Sequence, residues 1–372
     1  MLFVLFPIVY IVLVSILLVA WIKLKQWVPY SEKDCSIKIS IVVAARNESD
    51  HLPDLIKSFE QLNYPKELFE VIVVDDHSDD HTAQMAEQLL KEFDLYGKVK
   101  SLHNSEGKKS AIEAGVQLAQ GDLIVTTDAD CIHHPDWLRT IGASYRKGKA
   151  AILIMPVVLQ GKGFFARLQY MESIGLAGLT GGSLAIGKPL MCNGANMAFE
   201  KRIYQEMNFN AIRADIPSGD DTFFMLSFFA KNPKRVMFIK AKTALVYSKS
   251  QPHWNSFVNQ RIRWASKVKF YHQFYIKAIG AFLSFYSVLQ LYAMAALILW
   301  CYGNNSLMIP LIILIARLVA DGIFIKVTSH HLQQKFDLPA FLILFFCYPF
   351  YSIYIFIISL FKGYVWKGRT VK

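Results

Sequence analysis

Closely spaced cysteines are missing from this sequence. Its cysteines stand far apart along 372 residues and form no CxxC pair. Structural zinc sites commonly use such pairs, and disulfide frameworks belong to short secreted chains with many cysteines, so neither is indicated. Reduced thiols in a cytoplasmic domain are the simpler interpretation. The five cysteines are Cys35, Cys131, Cys192, Cys301 and Cys347.

The glycine motifs that bind phosphate are missing as well. No GxGxxG follows the first apolar strand, which excludes a dinucleotide fingerprint. The stretch EGKKS, Glu106 to Ser110, looks like the end of a phosphate loop, but Leu102 stands where that motif needs its first glycine. No block of lysine and arginine and no RNA-binding signature accompanies the net charge of +11. We therefore expect the basic excess to face anionic membrane lipids and a negatively charged substrate, with no nucleic-acid partner.

Long apolar segments, in contrast, are plentiful. A helix of about 20 apolar residues spans a hydrocarbon core of roughly 30 Å, so each segment is a candidate membrane span. Lys23 and Lys25 follow the first segment, and the positive-inside tendency places the region after it in the cytoplasm. A cleaved secretory signal is the alternative for this segment, which lacks a small-residue cleavage site. The segments are Leu2 to Ile22, Ala278 to Cys301, Met308 to Ile325 and Leu338 to Phe361.

Two polar features complicate four simple spans. With the N-terminus outside, four crossings put the basic C-terminal tail outside, against the positive-inside tendency. Either Pro349 breaks the last segment into a re-entrant hairpin, or one C-terminal segment lies in the membrane interface. Arg317 and Asp321, four residues apart on one helix face, predict an ion pair turned away from lipid, with contact to a lipid headgroup as the alternative. The charged tail residues are Lys362, Lys367, Arg369 and Lys372.

Between these segments, strands alternate with helices. Unbroken Val/Ile runs that alternate with helices indicate a parallel sheet covered on both faces. Ligands of such sheets bind beyond the carboxyl ends of the strands, where the polar clusters ARNES, DDHSDD and DADC fall. The predicted strands are Ile37 to Ala44, Phe69 to Val74, Lys98 to Leu102 and Leu123 to Thr127. The predicted helices are Asp50 to Leu62, Asp79 to Phe93 and Lys108 to Ala119.

The DADC cluster has the pattern of a metal site. Residues two apart in an extended strand point the same way, so Asp128 and Asp130 can project together while Ala129 packs inward. An acidic site can face a negatively charged nucleotide only with a divalent cation between them. Two carboxylates together with diphosphate oxygens suit Mg²⁺ or Mn²⁺. A pair of solvated aspartates at a strand end is the alternative.

Five motifs in order carry a resemblance to a known family. IVVAARNE, VIVVDDHSDD, VTTDAD, SGDD and QRIRW, from about Ile37 to Trp264, resemble those of membrane-embedded family 2 glycosyltransferases, which are similar to cellulose, hyaluronan and chitin synthases and to ceramide glucosyltransferase. The resemblance implies an α/β GT-A fold: a Rossmann-like, mostly parallel cytoplasmic domain with N- and C-terminal transmembrane helices. The implied division is a membrane helix at 1–24, a catalytic domain at 25–250, an amphipathic interface helix at 251–277, membrane segments at 278–361 and a basic tail at 362–372.

The resemblance also implies a donor site for a UDP-sugar. Lys108 would lie near the donor diphosphate, and Asp128 and Asp130 would hold the metal ion, with Asp130 the more direct ligand. Asp79 and Asp80 are expected to cap a helix. The residues that match the positions around uracil and ribose are Arg46, Glu48, Asp75 and Asp76.

The remaining motifs match the catalytic base and the acceptor side. In SGDD the base is expected to be Asp221, beside Asp220, at the start of a helix from Asp221 to Phe229; capping of that helix is the alternative. QRIRW lies on a predicted amphipathic helix, Pro252 to Tyr275, whose Gln260, Arg263 and Trp264 share one face. Arg263 would pair with the leaving diphosphate, and Trp264 would stack on the acceptor sugar. A basic aromatic helix at the membrane surface is the alternative.

Two further stretches belong to this comparison. CNGANMAF, Cys192 to Phe199, resembles a loop beside the acceptor pocket, so Cys192, Gly194 and Asn196 are expected to border the acceptor. Gly161 to Leu179 is predicted to be an interfacial helix, with a buried connecting helix as the alternative.

The expected function is inverting, metal-dependent transfer of a sugar from a UDP-sugar to a lipid or lipid-linked acceptor, at the cytoplasmic face of a bacterial inner membrane. A processive synthase that makes a polysaccharide is the first alternative, although at most four membrane segments are few for a polymer channel. A sugar nucleotidyltransferase would need neither the QRIRW helix nor the membrane segments. An inactive membrane receptor for nucleotide-sugars or polysaccharide would not need the full set of carboxylates.

Overall fold

The computed structural model describes residues 2–27, 36–207, 220–300, 307–361, 364–366 and 369–371. Several predicted features lie outside them: Cys35, Cys301, Ser218 and Gly219 of SGDD, and the tail residues Lys362, Lys367 and Lys372. The chain divides into two compact units. The sheet unit comprises Lys25–Gln160 and Met191–Lys249, and the helical unit comprises Met1–Leu24, Gly161–Leu190 and Ser250–Lys372.

The helices and strands are numbered along the chain. The helices are α1 (Leu2–Lys23), α2 (Leu52–Glu60), α3 (Thr82–Glu92), α4 (Gly107–Leu118), α5 (Trp137–Gly148), α6 (Phe164–Ala185), α7 (Lys201–Glu206), α8 (Asp220–Lys231), α9 (Trp254–Ala265), α10 (Phe274–Trp300), α11 (Met308–His331) and α12 (Leu338–Phe361). The strands are β1 (Ile39–Ala45), β2 (Phe69–Asp75), β3 (Gly97–Ser101), β4 (Leu123–Asp128), β5 (Cys131–His133), β6 (Ile152–Ile154), β7 (Val157–Gln160), β8 (Asn196–Glu200), β9 (Val236–Phe238), β10 (Val246–Lys249), β11 (Tyr364–Trp366) and β12 (Arg369–Val371).

The sheet unit is built on a seven-stranded sheet of order β3-β2-β1-β4-β8-β6-β9. Only β8 runs against its neighbours β4 and β6, so the sheet is mostly parallel. Strands β1 and β2 are runs of Val, Ile and Ala and are almost wholly buried, as a strand covered on both faces must be. The four strands and three helices predicted between residues 37 and 127 are all present. Each begins and ends within three residues of its predicted bounds.

Strand register brings the carboxyl ends of three strands to one edge. Ala45 pairs with Asp75 across β1 and β2, and Ala44 pairs with Asp128 across β1 and β4. The loops that follow these strands therefore start side by side. On the other side of β4, Thr127 pairs with Asn196 of the antiparallel strand β8. The loop that precedes Asn196 consequently lies beside the residues that follow Thr127. A small sheet of order β5-β10-β7 continues from this edge.

Among the described residues, the helical unit contains four helices that are long and apolar enough to cross a membrane: α1 from Leu5, α10, α11 and α12. Their number agrees with the four predicted segments. Many of their large apolar side chains are exposed, among them Ile8, Ile298, Ile315 and Phe350, as expected for surfaces that face lipid.

Helix α12 passes through Pro349 without a break, so the re-entrant hairpin, one of the two alternatives left open for the C-terminal segments, is not the one observed. Proline has no N–H for the carbonyl four residues earlier, which is that of Phe345. The side-chain amide of Gln290 in α10 donates to this carbonyl at 2.9 Å and replaces the missing backbone bond. A neighbouring polar side chain is one of the ways in which membrane helices tolerate proline.

Helix α6 distinguishes the two interpretations of Gly161 to Leu179, an interfacial helix and a buried connecting helix. It packs against α1, α11 and α12 within the helical unit. Its glycines allow close approach: a Cβ on Gly182 would lie 2.9 Å from the carbonyl oxygen of Leu17, and one on Gly178 would lie 3.0 Å from the ring of Phe324. The structure therefore supports the alternative, a buried connecting helix.

The expected single helix from Pro252 to Tyr275 is divided into α9, a short 3-10 turn at Val268–Phe270 and the start of α10. The Ser266 hydroxyl donates to the carbonyl of Arg263 at 3.1 Å. Serine side chains that bond to the local backbone compete with helix continuation, which accounts for the end of α9 at this position.

Candidate active site at the carboxyl edge of the sheet

The loops after β1 and β2 hold each other through backbone groups. Arg46 donates from Nη1 to the carbonyl of Asp76 at 3.0 Å, and the backbone N–H of Asp76 donates to the carbonyl of Ala45 at 2.8 Å. The Asp76 carboxylate accepts from the backbone N–H of Gly107, the first residue of α4, at 3.1 Å. Asp76 therefore links the β2 loop to the start of α4, a role in local structure that the resemblance does not describe.

Asp75 differs from its neighbour. It is 5% exposed, and its Oδ2 receives only a long contact from the N–H of Ser78, at 3.4 Å. Its Oδ1 is buried and accepts no hydrogen bond from the described residues. A buried carboxylate oxygen without a donor is costly, so a ligand that brings an N–H or O–H to this position would gain from it.

Asp80 binds the first turn of α3, although the N-cap position expected for Asp79 or Asp80 is held by His81. Its carboxylate accepts from the backbone N–H of Thr82, the first residue of α3, at 3.1 Å and from the N–H of Ser49 at 3.0 Å. Burial alone would raise the pKa of this carboxyl, but the hydrogen bonds from Thr82 and Ser49 outweigh it and lower the pKa to about 2. Asp79 is exposed and contributes its backbone N–H, which donates to the side chain of Asn47 at 3.0 Å.

Acidic groups converge where β4 ends. Asp128 pairs with Lys108, which lies in the first turn of α4. Asp130 accepts from the hydroxyl of Ser248 in β10 at 3.1 Å. Burial raises the pKa of Asp130, and the negative charges of Asp128 and Glu48 raise it further. Ala129 is buried, as predicted.

This donor set fits a divalent cation. Asp130 and its two acidic neighbours, Asp128 and Glu48, offer hard oxygen atoms, and the negative charges of these neighbours add to burial in raising the pKa of Asp130. Among the described residues no three metal-ligating side chains are already gathered at metal-binding distance. Two carboxylates completed by phosphate oxygens would match the way Mg²⁺ binds beside a nucleotide.

Asp221, the expected base, is fixed by two backbone N–H groups. Its Oδ2 accepts from Gly194 at 2.6 Å, and its Oδ1 accepts from Thr222 at 2.7 Å. The Thr222 hydroxyl in turn accepts from the backbone N–H of Cys192 at 3.3 Å. The loop before β8 therefore holds the start of α8. Asp220 is the first residue of α8, and its side chain is not among those described.

Strand register places this pair beside the acidic cluster. Because β4 and β8 are antiparallel and Thr127 faces Asn196, the chain that precedes Asn196 runs next to the chain that follows Thr127. Gly194 and the Asp221 carboxylate bound to it thus belong to the same edge of the sheet as Asp128. The structure brings the expected base and the expected metal ligands to one end of β4.

Asn196, expected at the acceptor pocket, requires a correction. It is 0% exposed, its amide nitrogen donates to the carbonyls of Pro156 and Ala244 at 2.8 Å each, and its oxygen accepts from the indole of Trp137 at 3.0 Å. Its side chain is a structural cross-link with no group left for a ligand. Cys192 is also buried, and its N–H is used by Thr222. Of the three acceptor residues expected in this loop, Gly194 is the one that adjoins Asp221.

The QRIRW residues belong to α9 of the helical unit. Gln260, Arg263 and Trp264 are all partly buried there. Ile262 and Arg261 are buried, and Arg261 is the buried charged member, which pairs with Glu172 of α6. This residue was missed from the sequence, although Glu172 is the single acidic residue of α6 and therefore signals a buried basic partner. Ser248, which binds Asp130, lies far along the chain and had no sequence signal.

Comparison with known proteins identifies the family. Residues 40–231 match Glycosyl transferase family 2. The undecaprenyl-phosphate 4-deoxy-4-formamido-L-arabinose transferase of Proteus mirabilis is 36% identical over 115 residues, which are 30% of this chain and 34% of that protein. The beta-monoglucosyldiacylglycerol synthase of Nostoc sp. is 33% identical over 140 residues, 36% of this chain and 29% of that protein. The matched part thus spans about a third of the length of these relatives.

One solved structure resembles the whole chain. The mannosyltransferase PcManGT from Pyrobaculum calidifontis, determined in complex with GDP-Man and Mn²⁺, has a TM-score of 0.55, covers 96% of this chain and 95% of its own, and is 16% identical. At this identity the likeness shows the fold. It confirms the predicted α/β GT-A fold accompanied by long apolar helices, one at the N-terminus and three at the C-terminus.

Proposed function

The chain belongs to glycosyl transferase family 2, and we propose that it moves a sugar from a UDP-sugar to a lipid or lipid-linked acceptor with inversion at the anomeric carbon. The observation that carries the proposal is the convergence of Asp128, Asp130 and the anchored Asp221 at one edge of the sheet. A metal-dependent transfer needs carboxylates in two roles, and this edge supplies both.

The donor nucleotide would lie across the ends of β1 and β2. Asp75 supports this placement because its unpaired buried oxygen can accept from a ribose hydroxyl or a base N–H. Arg46 and Glu48 flank this position, while Asp76 serves mainly to join the β2 loop to α4. Lys108, now paired with Asp128, would supply positive charge to the donor diphosphate.

Mg²⁺ or Mn²⁺ would be held by Asp128 and Asp130. The raised pKa of Asp130 and the all-oxygen donor set support this assignment. When bound, such an ion would offset the negative charge that develops on a departing nucleoside diphosphate.

Asp221 would act as the base. Its two N–H contacts fix the carboxylate, which can accept the proton of an acceptor hydroxyl within about 3 Å. The hydroxyl oxygen then forms the new bond to the anomeric carbon from the face opposite the leaving diphosphate, whose bond to the sugar breaks. The single displacement inverts the configuration and needs no covalent enzyme intermediate. The roles of Gln260 and Arg263 at the diphosphate, and of Trp264 at the acceptor, are proposals that rest on the sequence resemblance.

A lipid acceptor is favoured by the four apolar helices of the described residues and by the names of two relatives, an undecaprenyl-phosphate sugar transferase and a synthase of beta-monoglucosyldiacylglycerol. We place the reaction at the cytoplasmic face of a bacterial inner membrane, since the basic residue Lys23 ends α1. The QRIRW motif favours a second candidate, a processive polysaccharide synthase, but four candidate spans are few for a channel.

The test is UDP release and product analysis with the purified protein in lipid nanodiscs. UDP-glucose, UDP-galactose and UDP-N-acetylglucosamine are offered with total bacterial lipid, with Mn²⁺ or with EDTA. The proposal expects one donor to give a discrete glycolipid, Mn²⁺ dependence, and loss of turnover in Asp221→Asn and Asp130→Asn. A ladder of lengthening chains would identify the synthase instead, and full turnover in either variant would refute the mechanism.

A further inference from the structure

Arg261 has the most elaborate set of contacts in α9. It is 6% exposed, and all three guanidinium nitrogens donate. Nε and Nη2 donate to the two carboxylate oxygens of Glu172 in α6, at 3.3 and 2.6 Å, while Nη1 donates to the side-chain oxygen of Gln260 at 2.5 Å. The fork geometry of arginine is required here, because a lysine ammonium cannot fill three such positions in one plane.

The flat faces of the guanidinium are used as well. Its central carbon lies 4.2 Å from the ring centre of Trp264 and 4.5 Å from that of Phe257. Phe257 packs against Tyr351 of α12 with ring centres 5.4 Å apart. The Arg261 side chain is thus fixed from α6, and through Phe257 from α12, while it contacts two members of the QRIRW motif.

These contacts determine how Gln260 and Trp264 are presented. Arginine has only donors, so the group of Gln260 that faces it must be the amide oxygen. The amide nitrogen of Gln260 is thereby turned away, with two N–H donors and no partner among the described residues. For Trp264, stacking by Arg261 occupies one ring face and restricts the ring to one orientation.

We propose that Arg261 is a positioning residue that fixes the side chains of Gln260 and Trp264, with Glu172 holding its guanidinium in place. The inference rests on the proposed function, in which Gln260 donates to the donor diphosphate and Trp264 meets the acceptor sugar. A buried ion pair between helices is a weak source of stability, because removing both charges from water offsets much of their attraction. The Arg261–Glu172 pair is therefore better explained by its orientation of Gln260 and Trp264 than by a contribution to stability.

The experiment compares Arg261→Lys with a matched control. The control is Arg167→Lys. Arg167 lies in α6, the helix that carries Glu172, and it too forms a two-point ion pair, with Asp337 at 2.6 and 2.8 Å, but it contacts no residue of α9 among its described hydrogen bonds. With the nanodisc assay, Arg261→Lys is expected to lower kcat/KM by about 10- to 100-fold, and Arg167→Lys by no more than about twofold. Unchanged turnover in Arg261→Lys overturns the inference.

A charge exchange separates positioning from simple anchoring. The double variant Glu172→Arg with Arg261→Glu restores an ion pair between α6 and α9, yet a glutamate at 261 can neither donate to Gln260 nor stack on Trp264. A positioning role expects recovery of the thermal midpoint without recovery of turnover. Recovery of both would show that the pair is only an anchor and would overturn the inference.

A readout independent of catalysis completes the test. The protein is labelled with 5-fluorotryptophan, and the fluorine resonance of Trp264 is identified by its loss in Trp264→Phe. Arg261→Lys is expected to shift and broaden this resonance, and Arg167→Lys to leave it unchanged. An unaltered resonance in Arg261→Lys contradicts the inference even if the wild-type protein turns over no UDP-sugar, a result that would refute the proposed function alone.

Discussion

The backbone N–H of Gly194 donates to Oδ2 of Asp221 at 2.6 Å, and this bond joins the loop before β8 to the start of α8. A Cβ built on Gly194 would lie 3.2 Å from the same carboxylate oxygen and 3.3 Å from the Asp221 Cβ. An added methyl group at this position would therefore require the carboxylate to move by a few tenths of an ångström.

We expect Gly194→Ala to displace the Asp221 carboxylate and to lower kcat by about 10²-fold with little change in donor KM, because a misplaced base fails mainly in the proton transfer. Steady-state kinetics with the preferred UDP-sugar measure both constants. Gly280→Ala is the matched control, since a Cβ there meets nothing within 4 Å. An equal fall in kcat in Gly194→Ala and Gly280→Ala would contradict the proposed role of Asp221 as the base.

Lys108→Met tests whether Lys108 contributes to binding of the donor diphosphate or to the stability of the fold. The Lys108–Asp128 pair is partly exposed, with side chains 31% and 37% accessible, and pairs of this kind contribute only about 0–1 kcal/mol to stability. We expect an unchanged thermal midpoint, together with a weaker affinity for UDP measured by calorimetry in Mn²⁺. Lys109→Met, one residue further along α4, serves as the control. A large fall in the thermal midpoint of Lys108→Met with normal UDP affinity would contradict the assignment.

His133 should make the stability of the sheet unit depend on pH. Burial among Ser58, Thr127 and the ring of Trp137 lowers the pKa of this histidine to about 3. The unfolded chain takes up a proton below about pH 6.5 while the folded chain does not. His133 therefore costs no stability above that pH, and lowers it by about 1.4 kcal/mol per pH unit as the pH falls from 6.5 towards 3.

The measurement is denaturant unfolding between pH 4.5 and 7.5. His133→Gln should flatten the dependence of the unfolding free energy on pH relative to the wild type, although the variant is less stable at neutral pH. The exposed residue His253 provides the control, because His253→Gln should keep the wild-type slope. Parallel slopes for all three proteins would show that His133 is protonated in the folded state.

Removal of one charge from the polar network between the apolar helices should lower the stability of the protein. Arg317 is 5% exposed and donates to Gln290 at 2.6 Å and to Asp321 at 3.4 Å, and Asp321 accepts from Tyr10 at 2.5 Å. The ion pair predicted from the sequence is thus present. Arg317→Met alone leaves Asp321 with an unpaired charge and should cost about 3–5 kcal/mol.

The double variant Arg317→Met with Asp321→Leu removes both charges, and we expect it to recover most of this loss. Thermal unfolding in a mild detergent measures the difference between the two variants. If the single and double variants lose the same stability, the pair does not act as a unit.

The sheet up to β4 could be predicted from the sequence because each step depends on neighbours in the chain. Runs of Val and Ile predict β1, β2 and β4, and the polar residues directly after these strands predict which edge of the sheet holds the candidate ligand site. Beyond β4 the decisive contacts join distant residues. The burial of Asn196 depends on Trp137, Pro156 and Ala244, which come together only through long-range pairing.

The membrane segments show the same division. Hydropathy locates four apolar helices, since length and composition are local properties. It cannot reveal that α6 packs among them through glycines, or that Arg261 rather than Arg263 is the buried arginine of QRIRW. The packing of α6 and the burial of Arg261 both depend on which surface of one helix contacts another. The sequence of an amphipathic helix does not show which residue its arginine will pair with.

Pro349 gives α10 and α12 a fixed axial alignment. Apolar faces in lipid slide past one another at little cost, because methyl groups of one turn resemble those of the next. The carbonyl freed by the proline can be matched only where an amide side chain stands opposite, and Gln290 stands there. If either helix moved by one turn, the carbonyl of Phe345 would lie in hydrocarbon without a hydrogen-bond donor. Pro349, a residue type that usually disrupts helices, therefore helps to specify the register of α10 against α12.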